Sequence, residues 1–354
     1  MRWLFKWLKR LVVLLVLIAI GLVAPVGYNE LACIPKEQPS DYASLLPSEH
    51  HRDESRTLMT YPEWHIVHAY DDYAQVITAG DPHDFKYLKA IGGFWSSLCA
   101  LSHASAMHGG FSTESKQTIY VIGVSFTAEL LLKAAYEETL GRLATQKRGD
   151  TRAALDDVSA DQARAYAVFL QQTPWYKWDF NASNSELADG AGDSFRDNER
   201  RLALGLENMA KSAYADVIAE AVAQVGEDQL TLRMIVNGLT AETLETLAGV
   251  TLIGPVGDGF EIETPRYRKL TSLLDQMASL GAEFVEIAGN DDILFTAVSQ
   301  SETAEGAIHS FARQGYGDSR HLVLVKVTDL ANRLRDMQAA SGPDRLRLEH
   351  VHDY

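Results

Sequence analysis

The sequence predicts a mainly α-helical protein that begins with a membrane anchor and ends in an α+β domain. Three observations carry this: a basic segment and then an uncharged apolar run at the start, apolar residues at helical period as far as about residue 226, and β-rich runs punctuated by two helices beyond it. At 354 residues and 46% hydrophobic, the chain can fill two medium-sized domain cores.

The first ten residues, MRWLFKWLKR, hold four basic side chains and no acid, and LVVLLVLIAIGLVAPVGY follows without a charge. A run of that length suits a transmembrane anchor over 11–28. Pro25 follows the small-residue site at Val23 and Ala24, and Glu30 precedes Leu31-Ala32-Cys33; both spoil cleavage boxes, so the anchor reads as uncleaved. Trp3, Trp7 and Tyr28 suit the two interfaces, and the positive segment 1–10 places the N-terminus in the cytoplasm. The body is then expected in the periplasm, on a single-pass protein of the inner membrane. Beyond the first ten residues, 28 basic side chains stand against 48 acidic ones. So acidic a body repels phosphate backbones and excludes nucleic acid as a partner.

Residues 29–56 are polar and contain prolines, which predicts a stalk lifting the body off the membrane, with His50 and His51 solvated in it. Two cysteines make no disulfide framework: Cys33 reads as an exposed thiol and Cys99 as a small buried hydrophobe, and a Cys33 to Cys33 dimer stays open.

A helical domain is expected over 57–226. Its first helix starts at Tyr61-Pro62-Glu63 and stops at Gly80, and Tyr61, His65, His68 and Asp72 share one of its faces. Two imidazoles three residues apart can hold one metal ion, and a carboxylate a turn further can ligate it or orient a ring; the plainer reading has Trp64, Val67 and Tyr70 burying the helix with the histidines at its edge. A second helix from about Asp84 to His108 carries His103 and His108 and is closed by Gly109 and Gly110. Seven of the eleven histidines fall between residues 50 and 108, which favours a metal or haem site, although no Cys-x-x-Cys-His or His-Glu-x-x-His motif is present.

The run 118–136, TIYVIGVSFTAELLLKAAY, is apolar on every side of a helix and reads as the central core helix. Ser125, Glu129, Lys133 and Glu137 follow one another at four-residue spacing, a buried polar stripe in which Glu129 and Lys133 are expected to pair. Residues 146–158 read as a polar loop, 159–172 as a short helix, 175–180 as an aromatic cap and 184–192 as a small-residue loop. Ser194-x-x-Asp197 opens a long helix to about 225, in which Arg196, Arg200 and Arg201 pair with Glu199, Asp197 and other nearby acids.

Beyond Gly226, over 227–354, strands are expected at 250–253, 259–264, 283–288, 293–299, 321–327 and 345–351, and helices at 267–280 and 328–339. Removing one hairpin strand and one inserted strand leaves a ferredoxin-like split β-α-β fold. Gly254 to Gly259 is a hairpin turn rather than a phosphate loop, Asn290-Asp291-Asp292 a turn, and 304–317 a loop or short helix.

No nucleophile motif or phosphate loop is present, so the reaction, if there is one, stays open. The leading expectation is a binding or assembly module on the membrane, with a protein partner or a second copy of the chain. One rival is a metal- or haem-dependent redox protein built on His65, His68, Asp72, His103, His108 and Glu129. Another is a polytopic bundle with further spans at 88–107 and 118–136.

Overall fold

The computed structural model of the protein describes residues 2–34, 38, 42–53, 55–225 and 230–353. It is mostly helical, with antiparallel sheet confined to the C-terminal part. The boundary expected near Gly226 falls at 226–229, outside the described residues.

α1 (Arg2–Tyr28) is one continuous helix, long and apolar enough to cross a membrane, and its side chains from Leu8 to Ile20 stand exposed. α2 (Arg56–Ala79), α3 (Tyr87–Ser105) and α4 (Thr113–Tyr136) follow; α4 passes through a π turn at Glu137–Gly141 into α5 (Arg142–Arg148). α6 (Ala154–Leu170), α7 (Phe180–Asp189) and α8 (Phe195–Val225) complete the bundle.

Most departures from the sequence reading are earlier helix starts, and each has a local cause. α2 begins ahead of Pro62 because Leu58 and Met59 are buried in the core and the Thr57 hydroxyl donates to the His352 carbonyl. α4 begins at Thr113 because Ser112 accepts from Ser115 N. In the region read as a polar loop, Asp156 accepts from Ala153 N and starts α6. Asp179 caps α7, which occupies most of the expected 184–192 loop.

α4 is not a helix buried on all sides. It buries Ile119, Gly123, Phe126, Thr127 and Leu130 and exposes Val121, Leu131 and Leu132. Its close approach to α3 depends on Gly123, where a Cβ would collide with the Phe94 ring. By length and composition alone, Thr113–Arg148 is a second helix able to cross a membrane, and α3 is not.

The expected thiols are a disulfide: Cys33 bonds Cys99 on α3, so neither is free and Cys33 is not available to link two chains. Of the expected stalk, 35–37, 39–41 and 54 lie outside the described residues, and the described part packs against the body. After a π turn at Asn29–Cys33, Gln38 bonds backbone at Ala106 and Gly109, and the buried Glu286 carboxylate accepts from Tyr42, Ser44 and the amides of Leu45 and Leu46. Four donors on one carboxylate tie this strap to the C-terminal part.

That part holds β1 (Thr231–Asn237), α9 (Ala241–Thr246), β2 (Thr251–Val256), β3 (Gly259–Pro265), α10 (Arg268–Ser279) and β4 (Glu283–Ile287). β5 (Asp292–Ser299), β6 (Ala307–Ala312), β7 (Ser319–Lys326), α11 (Val327–Ala339) and β8 (Arg347–His352) follow. The strands form two four-stranded sheets, β2-β3-β1-β4 and β6-β7-β5-β8, where the sequence reading had one split β-α-β sheet. The two sheets have the same strand order and all-antiparallel pairing, each with a helix between its third and fourth strands, and the first unit adds the short α9 between β1 and β2. Their helices bury Leu270, Leu274 and Met277 and, at the same spacing, Leu330, Leu334 and Met337. Both helices share one core with inner-face residues of both sheets, Val236 and Ile262 from the first and Phe295 and Val323 from the second. The second sheet is covered on its other face too, since Leu294 and Leu322 belong to the core of the helical bundle.

A candidate binding cleft between α2, α3 and β6

Where the bundle covers the second sheet, a cleft of about 290 Å³ opens between α2, α3 and β6. His65 and Asp72 line it from α2, Ser96 from α3, His309 and Ser310 from β6, and Arg320 from β7. The helical face predicted on α2 therefore exists, with its groups turned toward strands more than two hundred residues away in sequence.

Arg320 is the floor of this region. It is buried and forms a bidentate pair with Glu349, at 2.5 and 2.7 Å. The register of β5 against β8 shifts between Thr296 and Ala297, and Glu349 sits in that irregularity, where a bulge can re-aim a side chain. Burial works to raise the Glu349 carboxyl, but the Arg320 guanidinium outweighs it and holds the group below its ordinary value.

Asp72 is less well served. Its Oδ2 accepts from Gln314 N at 2.8 Å, while Oδ1 has no hydrogen-bond partner among the described residues and lies 3.8 Å from Arg313 Nε. Burial pushes its pKa up to about 6, against the pull of Arg320. His65 donates from Nε2 to the Ala90 carbonyl, which leaves Nδ1 to accept from the Tyr61 hydroxyl at 3.4 Å. Both ring nitrogens are thus engaged, and burial lowers the His65 pKa to about 3.

Beneath the cleft lies a layer of neutral imidazoles. His350 stacks on Trp64 with ring centroids 3.5 Å apart, and His352 meets Tyr61 edge-on. Nε2 of His68, Nε2 of His350 and both nitrogens of His352 are buried without hydrogen-bond partners among the described residues. His68 Nε2 is 3.6 Å from Glu349 Oε2, beyond hydrogen-bond reach, and burial holds the ring neutral, so the contact is not an ion pair. Burial likewise keeps His350 well below its ordinary value and lowers His352 to about 3.

The structure keeps His65, His68 and Asp72 buried on one face of α2 without bringing their ligand atoms to one point, and it leaves the other expected metal ligands elsewhere. His103 is exposed thirteen residues beyond Ala90 on α3, about 20 Å along a helix. His108 lies 3.7 Å from Asp292. Among the described residues, the one group of three His, Cys or acid side chains with mutually close ligand atoms is Asp81, His83 and Asp84, whose two carboxylates cap a turn while Asp81 also pairs with Arg148.

Glu129 and Lys133 do not pair with each other. Lys133 reaches Glu207 of α8 at 3.2 Å, and Glu129 reaches Lys211 at 2.8 Å and the Tyr70 hydroxyl at 2.5 Å. Ser125 is exposed and Glu137 is buried against Arg200 at 2.8 Å. The arginine turn pairs much as expected, Arg196 and Arg200 with Glu199, while Asp197 instead accepts from Leu155 N and Arg201 donates to Asn198. Sequence reasoning missed Arg320, Glu349, His350 and His352; the alternation of His350 and His352 along a strand was the available signal.

No protein family, curated protein or solved structure matches the chain.

Proposed function

We propose that this chain is a membrane-anchored, extracytoplasmic binding protein that holds a small polar ligand in the cleft between α2, α3 and β6. The observation that carries this is Asp72: a buried carboxylate on the cleft wall, one oxygen of which has no hydrogen-bond partner among the described residues. An unsatisfied buried acceptor costs about 1 to 3 kcal/mol, and a ligand donating a hydrogen bond there recovers it. The cleft is large enough for a molecule of a few carbon atoms bearing hydroxyl or amine groups. The Cys33–Cys99 bond supports the extracytoplasmic side, because structural disulfides persist in oxidising compartments.

The test is thermal unfolding of the full chain against a panel of small polyols, amines and amino acids. Ser96 is exposed at the cleft mouth, so Ser96→Trp closes the entrance without entering the core. At least one compound should raise the midpoint, and the rise should vanish in Ser96→Trp and in Asp72→Asn. A rise that survives both substitutions removes the cleft as the site. For the orientation, a maleimide reagent should shift the chain from intact cells only after reduction; labelling without reductant would count against the oxidising side.

A further inference from the structure

Where the anchor meets the bundle, α1 and α4 enclose a second, more open hollow of about 540 Å³. Its walls divide by chemistry. Val23 and Val26 of α1 and Val121 of α4 are apolar, whereas Glu30, Lys116 and Tyr120 are polar.

The walls are held in place. Cys33 is bonded to Cys99 of α3, Asn29 donates to Ser102 at 3.4 Å and to the Tyr120 hydroxyl at 2.9 Å, and Tyr120 donates to Glu30 at 2.5 Å. Val23 and Val26 belong to the apolar run itself, so the hollow is continuous with the surface that α1 offers to lipid. Leaving such apolar walls to water is unfavourable by roughly 25 cal/mol per Å², and the molecules present at highest concentration beside an anchor are lipids.

We propose that one phospholipid of the surrounding leaflet seats here, its acyl chain along Val23, Val26 and Val121 and a zwitterionic headgroup bridging Lys116 through phosphate and Glu30 through ammonium. This rests on the reading of α1 as a membrane anchor. The pairing of one base with one acid selects a zwitterion over an anionic lipid, which Glu30 and the acidic body repel. Glu30 further selects ethanolamine over choline, because a carboxylate takes hydrogen bonds from a primary ammonium and none from a quaternary one.

The full chain, purified in mild detergent with equimolar phosphatidylethanolamine, phosphatidylcholine and phosphatidylglycerol, is examined by native mass spectrometry. One retained phosphatidylethanolamine per chain is expected, at least fivefold over either competitor. Val121 is largely exposed, so Val121→Trp should fill the hollow, keep the fold and abolish retention. If that variant misfolds, Lys116→Gln supplies the same readout, with selectivity falling toward unity. Equal retention of the three lipids, or unchanged retention in the folded variants, overturns the site. An alkaline wash separates the two readings: a chain released from membranes fails as an anchored protein, while one that stays bound without lipid preference loses only the lipid site.

Discussion

The two four-stranded sheets share strand order and antiparallel pairing, yet the outer face of the first is only partly covered, by the strap over Glu286, while that of the second is an interior. Each carries an arginine–glutamate pair on the face turned away from α10 and α11. In the first sheet Arg233 reaches Glu261 at 2.7 Å and Glu263 at 3.5 Å and keeps 23% of its side chain exposed. In the second, Arg320 and Glu349 make the same kind of pair with Arg320 at 1%, because α2 and α3 lie over it. The same motif is a partly exposed ladder in one place and the floor of a cleft in the other. What changes its role is the cover, and the cover comes from the helical bundle.

Breaking the pairs one at a time measures that difference. Arg320→Met leaves Glu349 buried and uncompensated, which should cost about 3 to 5 kcal/mol, whereas Arg233→Met in the open sheet should cost about 1 kcal/mol or less. Urea unfolding of both variants reads the two numbers directly. Equal losses would mean that the bundle does not desolvate the second sheet, and the cleft would lose its electrostatic basis.

Acid offers a second probe, since no histidine lies in the first sheet and five, His65, His68, His309, His350 and His352, pack in or beneath the cleft. His65 and His352 fall from an ordinary 6.5 to about 3 on folding, and burial moves His68 and His350 the same way. A histidine with a lowered folded pKa binds its proton more readily when unfolded, so its contribution is present above the unfolded value and is lost as pH falls from about 6.5 toward 3. Asp72 runs the other way: with its folded pKa raised from 3.8 to about 6, its contribution is present at low pH and is lost as pH rises from about 4 to 6. The histidines outnumber it, and stability should fall by about 3 kcal/mol between pH 6.5 and 5.5. Hydrogen exchange should speed up in α2 and β8 more than in β1 and β3, after correction for intrinsic rates. Uniform change across both sheets would place the effect elsewhere.

Much of this was legible in the sequence, and the gaps have physical causes. The apolar run of α1, the Gly109 stop and the Ser194 start of α8 rest on local chemistry, which sequence carries. The shared face of Tyr61, His65, His68 and Asp72 was also visible, because helical spacing alone sets it. Its partners were not: Arg320 and Glu349 come from strands whose pairing is non-local, and β6, half-buried from Ala307 to Phe311, has no alternation to reveal it. The stripe on α4 shows the limit most clearly. Four-residue spacing allowed Glu129 to meet Lys133, but Glu207 and Lys211 offer the same spacing on α8, and the two helices exchange partners across their contact.

That exchange makes a third prediction, now about covered charges within the bundle. Burial opposes the charge on Lys133, yet Glu207 more than restores it, and the paired lysines hold Glu207 below its ordinary value. A double-mutant cycle on Lys133→Met and Glu207→Gln should give a coupling of about 1 to 2 kcal/mol, while the cycle on Lys133 and Glu129 should give about 0.5 kcal/mol or less. The reverse ranking would restore the pairing within α4.

The smallest effect tests how the cover is fastened. Thr57, in the first turn of α2, donates from its hydroxyl to the His352 carbonyl at 2.6 Å and accepts from Leu294 N at 3.0 Å. One side chain thus holds α2 to β5 and β8 together, and the hydroxyl is fully buried. Thr57→Val keeps the shape and removes both bonds, leaving a buried amide and a buried carbonyl short of a partner, for a cost of about 1 kcal/mol, up to 2. Because the loss falls at the seam, exchange should rise in the first turn of α2 and in β8 while β1 and β3 stay unchanged. A variant as stable as the parent, with the seam equally protected, would mean that apolar packing around Leu294 and Leu322 holds the cover without help. The charged floor of the cleft would then owe its burial to shape alone.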